Sequence, residues 1–365
     1  MPSSAESSND LPIRLIVIFG GESAEHDVSC STAVHVLAAT DKDRYDIQTI
    51  GIDRTGGWVV AEEAMAILAD GARPLPERLT AEGPATSLVP AVSSAQPGQQ
   101  IVVLPLLHGP LGEDGTIQGM LELANVPYVG AGVLGSALTM DKAKAKEVLR
   151  ATGVPQTRWM TLYEPDFDGD LSPLVEELGL PMFVKPANMG SSVGVTKAHD
   201  RAELAAALEL SFRYDEWVVV EEAVTAREIE FALLGNTVVE CSVGGEIIPG
   251  AEFYSYDDKY ADGIATDVIP ADIPADDMLA MQQLAEIAYR ALRVEGLARA
   301  DFLYEDGGRG PLLNELNTMP GFTPISMYPK LWAASGLAYP DLIDRLVELA
   351  LERHARRSAK RVTTH

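Results

Sequence analysis

Residues 298–317 read ARADFLYEDGGRGPLLNELN. Two apolar-rich runs flank the turn DGGRG, so the segment reads as two strands pairing around a tight reversal. Side chains two apart on a strand share a face. Arg299 therefore stands beside Asp301 on one strand, and Glu315 beside Asn317 on the other. Three oxygen-bearing side chains gathered there suit Mg²⁺, which takes few protein ligands and completes its shell with phosphate and water. A guanidinium next to such a set has no packing reason. It fits a clamp on a transferring phosphoryl group or a developing oxyanion. The bland alternative, a solvated polar strand face, leaves the arginine unexplained.

Upstream, WVVVEEAVTAREIEFALL (217–234) gives a strand ending in Glu221 and Glu222, then Val224 and Glu228. A strand end can offer backbone groups to an adenine edge, and a following carboxylate can take ribose hydroxyls. Acidic residues at strand ends are also common without any ligand. In MFVKPANMGSSVGV (182–195), Lys185 ends an apolar strand and Ser191 and Ser192 lie between glycines. Such a loop can cradle phosphates with N–H and hydroxyl donors, or it can be a plain hairpin turn. It is not a P-loop, because no GK[ST] precedes a helix. Lys142 opens the helical stretch DKAKAKEVLRATG (141–153) and is compatible with a surface position or a ligand.

The first third alternates strand and helix. RLIVIFGG (14–21), YDIQTIGID (45–53) and IVVLPLL (101–107) read as strands, and helical spacing starts at Glu25 and again near Ile117. This implies a parallel, doubly wound sheet, with 84–99 as a surface excursion. Glu25 lies where a strand meets a helix, a place that suits both a helix-start carboxylate and a substrate contact. Asp53 follows a strand as a ribose-binding Asp would, but the dinucleotide glycine fingerprint is missing, which disfavours a nicotinamide dehydrogenase.

The 365 residues carry a net charge of −26. So acidic a surface repels nucleic acid and anionic lipid, and neither is expected as a partner. An anionic substrate then needs local lysines and arginines, which the motifs above supply. No apolar run approaches the ~20 residues of a membrane span. MPSSAESSND at the start has no secretory character and reads as a frayed tail. Two cysteines, Cys30 and Cys241, form no metal or redox spacing, so a reduced cytoplasmic protein is expected. The basic stretch 353–361 reads as a solvated helix end.

In order and spacing, GGESAEHDVS, HGPLGEDGT, MDKAKAK, VKPANMGSSVGV, AEFYSYDDKY, RADF and NELNTMPGFTPISMYP resemble the D-alanine–D-alanine ligases of the ATP-grasp superfamily, over nearly the whole chain. The resemblance implies α/β and α+β parts: a doubly wound parallel-sheet domain at 11–138, then a two-part ATP-grasp fold at 139–225 and 226–355. Residues 1–10 and 356–365 are expected as flexible tails. It implies ATP-dependent ligation of two D-alanines through an acyl phosphate, supplying peptidoglycan synthesis, by a homodimer.

The implied roles fall on matching positions. Glu25 binds the ammonium of the first D-alanine and His108 lies near its carboxylate. Lys142 and Lys185 contact ATP phosphates, and Ser191 and Ser192 close over the γ-phosphate. Glu221, Glu222 and Val224 frame the adenine, with Glu228 at the ribose. Lys259 and Tyr260 form a lid. Arg299 and the Gly321 N–H stabilise the oxyanion, and Asp301, Glu315 and Asn317 hold two Mg²⁺, with Mn²⁺ as a substitute. Ser326 and the Met327 N–H take the second D-alanine's carboxylate. Tyr260 favours an amine over D-lactate as second substrate and leaves D-serine open. A non-catalytic nucleotide-binding protein would have lost a metal ligand or Arg299, and none is lost.

Overall fold

The computed structural model describes residues 11–70, 76–248, 250 and 266–360, whose strands form three sheets. The expected tail at 1–10 and the lid loop with Lys259 and Tyr260 lie outside the described residues.

In the first sheet, β1 (Ile13–Gly20) runs parallel to β2 (Tyr45–Ile52). The short β3 (Trp58–Val60) is antiparallel to β2, and β4 (Ile101–Pro105) is parallel to β1. Leu15 to Phe19 are wholly buried, because both faces are covered. Leu15, Val17 and Phe19 pack with α1 (His26–Ala39) and α2 (Glu62–Ala69). Ile16 and Ile18 pack on the other face with α3 (Leu88–Ser93) and α4 (Thr116–Leu123).

Two details differ from the sequence reading. The sheet is not wholly parallel: Asp53 Oδ1 accepts from the N–H groups of Thr55 and Gly57 at 2.7 and 2.9 Å, and this turn reverses the chain into β3. Asp53 is thus a turn former. The stretch 84–99 is not merely a surface excursion, since α3 buries Leu88 and Ala91 against the sheet.

α5 (Val133–Met140) and α6 (Lys142–Ala151) lead to the second sheet. It comprises β5 (Trp159–Tyr163), β6 (Met182–Pro186), β7 (Thr196–Ala198) and β8 (Trp217–Glu222), antiparallel in the order β5-β8-β6-β7. α7 (Ser172–Leu178) and α8 (Arg201–Phe212) cover one face, where Met182, Val184, Val218 and Val220 are buried. Period-two alternation sends Lys185 to the opposite face.

The third sheet holds β9 (Arg227–Gly235), β10 (Val239–Cys241), β11 (Gly245–Ile248), β12 (Thr266–Val268), β13 (Gly296–Glu305) and β14 (Gly310–Asn317). α9 (Ala275–Ala291) buries Met281, Ala285 and Tyr289 against Ile229, Phe231, Ala300 and Phe302 on one face. On the other face Ala232, Leu234 and Leu297 join the first core with α10 (Met327–Ala334) and α11 (Tyr339–Ser358), which leaves Glu228, Glu230, Arg299 and Asp301 toward the cavity.

The C-terminal arginines are not simply solvated. Arg353 is 3% exposed, lies 4.1 Å over the Tyr128 ring, and donates to the carbonyls of Tyr128 and Gly130. Arg357 donates to Glu122 at 2.5 Å, and Arg356 to Glu295. Helix α11 continues to Ser358, past the expected end at 355, and its basic residues find partners at Glu122, Tyr128, Gly130 and Glu295.

Candidate active site

A cavity of 1140 Å³ is walled by the second and third sheets and, on the side of the first sheet, by α1 and the loop that carries His108 and Glu113. Lys259 and Tyr260 lie outside the described residues; every other site residue singled out from the sequence lines this cavity.

The strand pair 298–317 forms as expected. Arg299 stands opposite Asn317 and Asp301 opposite Glu315, so the acidic set shares one face. A bulge follows, since Phe302 pairs with Leu313 and leaves Asn314 as the extra residue. Asn314 accepts a hydrogen bond from Lys185 Nζ at 3.2 Å. On the neighbouring strand β9, Glu230 pairs in register with Asp301. Arg299 grips both Asp301 oxygens at 2.7 Å and lies 3.0 Å from Glu230. Burial works against its charge, but Asp301 and Glu230 outweigh that and hold its pKa well above the usual value.

The donor set fits Mg²⁺. Among the described residues no three His, Cys, Asp or Glu gather as a closed metal cage. Two carboxylates and one amide leave coordination positions for phosphate and water, as Mg²⁺ requires. Carboxylates also outnumber lysines and arginines along the described lining, so a polyphosphate entering it needs accompanying cations.

The loop after β6 passes through left-handed backbone at Ser191, Ser192 and Gly194, with φ of 47°, 60° and 73°. Successive N–H groups in such a bend form an anion nest. A Cβ on Gly194 would lie 2.8 Å from both Pro186 and Tyr214, so glycine is required there. Asp215 anchors the loop by accepting from Asn188 N and Nδ2 at 2.8 and 2.9 Å. Lys142 donates from Nζ to Met189 O at 2.5 Å, and burial lowers its pKa against the opposing pull of Glu315.

The first domain meets this loop at Glu25. Its side chain does not cap α1; instead it accepts from Ser191 Oγ. His108 is 5% exposed, with Nδ1 3.0 Å from Met319 O and 3.4 Å from Glu113. Its Nε2 is buried with no partner among the described residues. Burial opposes charge on this ring, yet Glu113 and Glu25 raise its pKa, so Nε2 can donate to a carboxylate. Glu113 itself is pushed up to about 7, chiefly by burial, despite His108.

Glu221 and Glu222 point to opposite sides of β8. Glu221 is buried between Lys146 and Lys185. Glu222 accepts from Arg158 at 2.8 Å and from Arg309 at 2.6 Å. Val224, just past β8, and Glu228, on β9 of the third sheet, also line the cavity. At the far end, Ser326 precedes the first residue of α10, Met327, and Ser326 Oγ is 2.8 Å from Thr323 Oγ1. A helix start with a hydroxyl beside it suits a carboxylate. A Cβ on Gly321 would sit 3.0 Å from Ser326 Oγ, which keeps that backbone approachable.

The sequence reading missed Lys146, Glu113, Glu230 and Asn314. Lys146 is one turn from Lys142 on the same helix face, and Glu230 is two residues from Glu228 on the same strand face, so periodicity could have found both. Nothing local marks Asn314.

Family profiles described as D-ala D-ala ligase N-terminus and D-ala D-ala ligase C-terminus match residues 14–131 and 148–348. The D-alanine--D-alanine ligase of Shouchella clausii is 46% identical, over 94% of this chain and 96% of its own. Among solved structures, the D-alanine-D-alanine ligase from Coxiella burnetii aligns with a TM-score of 0.80 at 36% identity, covering 95% of this chain and 96% of that one. VanG D-Ala:D-Ser ligase from Enterococcus faecalis aligns at 0.78 and 33%, covering 93% and 100%. With both halves matched in order, and the acidic set, serine loop and helix start facing one cavity, the chain belongs to the D-alanine–D-alanine ligase family.

Proposed function

We propose that the chain ligates two D-alanine molecules to D-alanyl-D-alanine at the expense of ATP, supplying peptidoglycan precursor synthesis. The observation that carries this reading is the single cavity in which Arg299 and the Asp301, Glu315 and Asn317 face meet Glu25 and His108 across the Ser191 bridge.

Glu25 holds the first D-alanine's ammonium, and His108 Nε2 its carboxylate. Lys142, Lys185 and the Ser191–Ser192 loop hold the triphosphate, with the adenine along Glu221, Glu222 and Val224 and the ribose at Glu228. Asp301, Glu315 and Asn317 would hold two Mg²⁺, or Mn²⁺ in their place, which supply charge neutralisation for the phosphates. The first carboxylate attacks the γ-phosphorus; the bond to the β-phosphate oxygen breaks, giving an acyl phosphate and ADP. The second D-alanine is bound through its carboxylate at Ser326 Oγ and Met327 N. Its free amine attacks the acyl carbon, Arg299 and the Gly321 N–H hold the oxyanion, and phosphate leaves as the amine gives up its proton. Positioning and charge neutralisation carry both steps. Lys259 and Tyr260 serve as a lid that keeps water from the acyl phosphate.

The reading extends to three domains at 11–138, 139–225 and 226–355, and to a cytoplasmic homodimer joined through the first domain. No helix among the described residues is long and apolar enough to cross a membrane. Likeness to a D-Ala:D-Ser ligase supports a second reading, in which D-serine is the acceptor.

ADP release with D-alanine, L-alanine, D-lactate and D-serine, each with and without Mg²⁺, tests these readings. Mg²⁺-dependent release with D-alanine alone, and dipeptide as product, is expected. A faster reaction when D-serine is added as acceptor would favour the second reading. No release with any acceptor would overturn both.

A further inference from the structure

Glu221 lies next to the end of β8 on the cavity wall with its side chain 3% exposed. Two ammonium groups share one of its oxygens: Lys146 Nζ at 3.4 Å and Lys185 Nζ at 3.2 Å from Oε1. Thr157 Oγ1 donates to the other oxygen at 2.8 Å and accepts from Lys146 Nζ at 3.4 Å, closing a ring. The two lysines differ in what else they face. Lys185 lines the cavity and reaches the bulge residue Asn314. Lys146 does not line it; it stands behind Glu221 on α6, among the buried Ala143, Ala145 and Leu149. An apolar side chain at 146 would pack there without desolvating a charge, so a buried ammonium needs a reason beyond packing.

We infer that Lys146 is a positioning residue for the nucleotide phosphates: it shares Glu221, and so leaves the Lys185 ammonium directed at the cavity. The charges give the reason. Two ammoniums and one carboxylate leave one net positive charge on this wall. Without Lys146, Lys185 and Glu221 form a neutral buried pair, and the carboxylate draws Lys185 onto itself. In a cavity lined with carboxylates, that loss falls directly on phosphate binding. The inference rests on the reading of Lys185 as a phosphate ligand.

Four variants test it: Lys146→Met, Lys146→Arg, Glu221→Gln, and the double variant Lys146→Met with Glu221→Gln. ATP·Mg²⁺ affinity is measured by titration calorimetry on the full chain, with KM for ATP and for D-alanine alongside. Lys146→Met is expected to weaken ATP binding and raise its KM by roughly tenfold, with KM for D-alanine little changed. Lys146→Arg should retain most of the affinity. The double variant should bind ATP as well as Glu221→Gln alone, because Lys146 matters only while the carboxylate is present. If Lys146→Met fails to fold, that last comparison still leaves the inference open to overturning. Folded Lys146→Met with unchanged ATP affinity would overturn the inference. So would a double variant that binds ATP clearly more weakly than Glu221→Gln. Wild-type protein that binds no ATP would instead overturn the reading of Lys185 itself.

Discussion

Glu221 and Glu113 are both buried carboxylates lining the same cavity, one from the second sheet and one from the first domain, and their pKa values move in opposite directions. Burial raises both. At Glu221, Lys146, Lys185 and the Thr157 hydroxyl outweigh it and bring the pKa down to about 2. At Glu113, His108 opposes burial, but the nearby Glu25 adds to it, and the value rises to about 7. On the wall proposed for the nucleotide, the Glu221 carboxylate therefore stays ionised through the physiological range. The wall proposed for the amino acid keeps a proton shared between Glu113 and His108 near neutrality. Such a division suits the proposed chemistry: an ionised Glu221 keeps Lys146 and Lys185 gathered beside the triphosphate, whereas an amino acid brings a carboxylate and an ammonium that must be matched locally.

The sharpest way to break the contrast is on the fixed-charge side. Arg299→Ala removes a cation held by Asp301 and Glu230, and with it the proposed oxyanion contact. A loss of roughly 3 kcal/mol, about a hundredfold in kcat, is expected. Steady-state turnover on protein shown to be folded by circular dichroism checks it, and near-normal kcat would remove Arg299 from the mechanism. A smaller effect is expected where the two walls touch. Ser191→Ala deletes the hydroxyl that donates to Glu25, so KM for the first D-alanine should rise about fivefold. Initial rates at saturating ATP measure this, and an unchanged KM would mean that Glu25 is oriented without the loop.

Legibility in the sequence followed the range of the interaction. Asp301, Glu315, Asn317 and Arg299 came from period-two spacing on two strands joined by a short turn, a pattern local in sequence, and the register agrees. Lys185 could be read for the same reason. Asn314 could not, because its bulge exists only once β13 and β14 pair. Helix periodicity places Lys146 one turn from Lys142, but its role is not local, since Glu221 and Thr157, which explain it, come from other elements. Arg353 is not solvated for a related cause: the carbonyls of Gly130 and Tyr128 that hold it lie 223 and 225 residues earlier in the chain. β3 and α3 are too short for a periodic signal to reveal. The family motifs themselves were legible through resemblance, whereas the proton shared by His108 and Glu113 depends on burial and on Met319 O, which no motif encodes.

The smallest expected effect tests the other wall through pH. Glu113 in the folded protein titrates at about 7 against an ordinary value of 4.5. Between those values the folded state holds a proton that the unfolded chain has released. Stability therefore falls as pH rises through that window and levels off above it. Glu221 behaves in the opposite sense: its depressed pKa contributes stability that is complete above 4.5 and is lost as pH falls toward about 2. Glu113→Gln keeps the shape of the side chain and removes its titration. Relative to wild type, the variant should gain melting temperature at pH 8 over pH 5, by roughly 2 °C. Glu221→Gln should show no such gain in that window, because Glu221 is ionised at both pH values in both states. Melting curves of the three proteins at pH 5, 6, 7 and 8 make the measurement. Parallel wild-type and Glu113→Gln curves would mean that Glu113 is ionised throughout, and that the amino-acid wall carries fixed charge just as the nucleotide wall does.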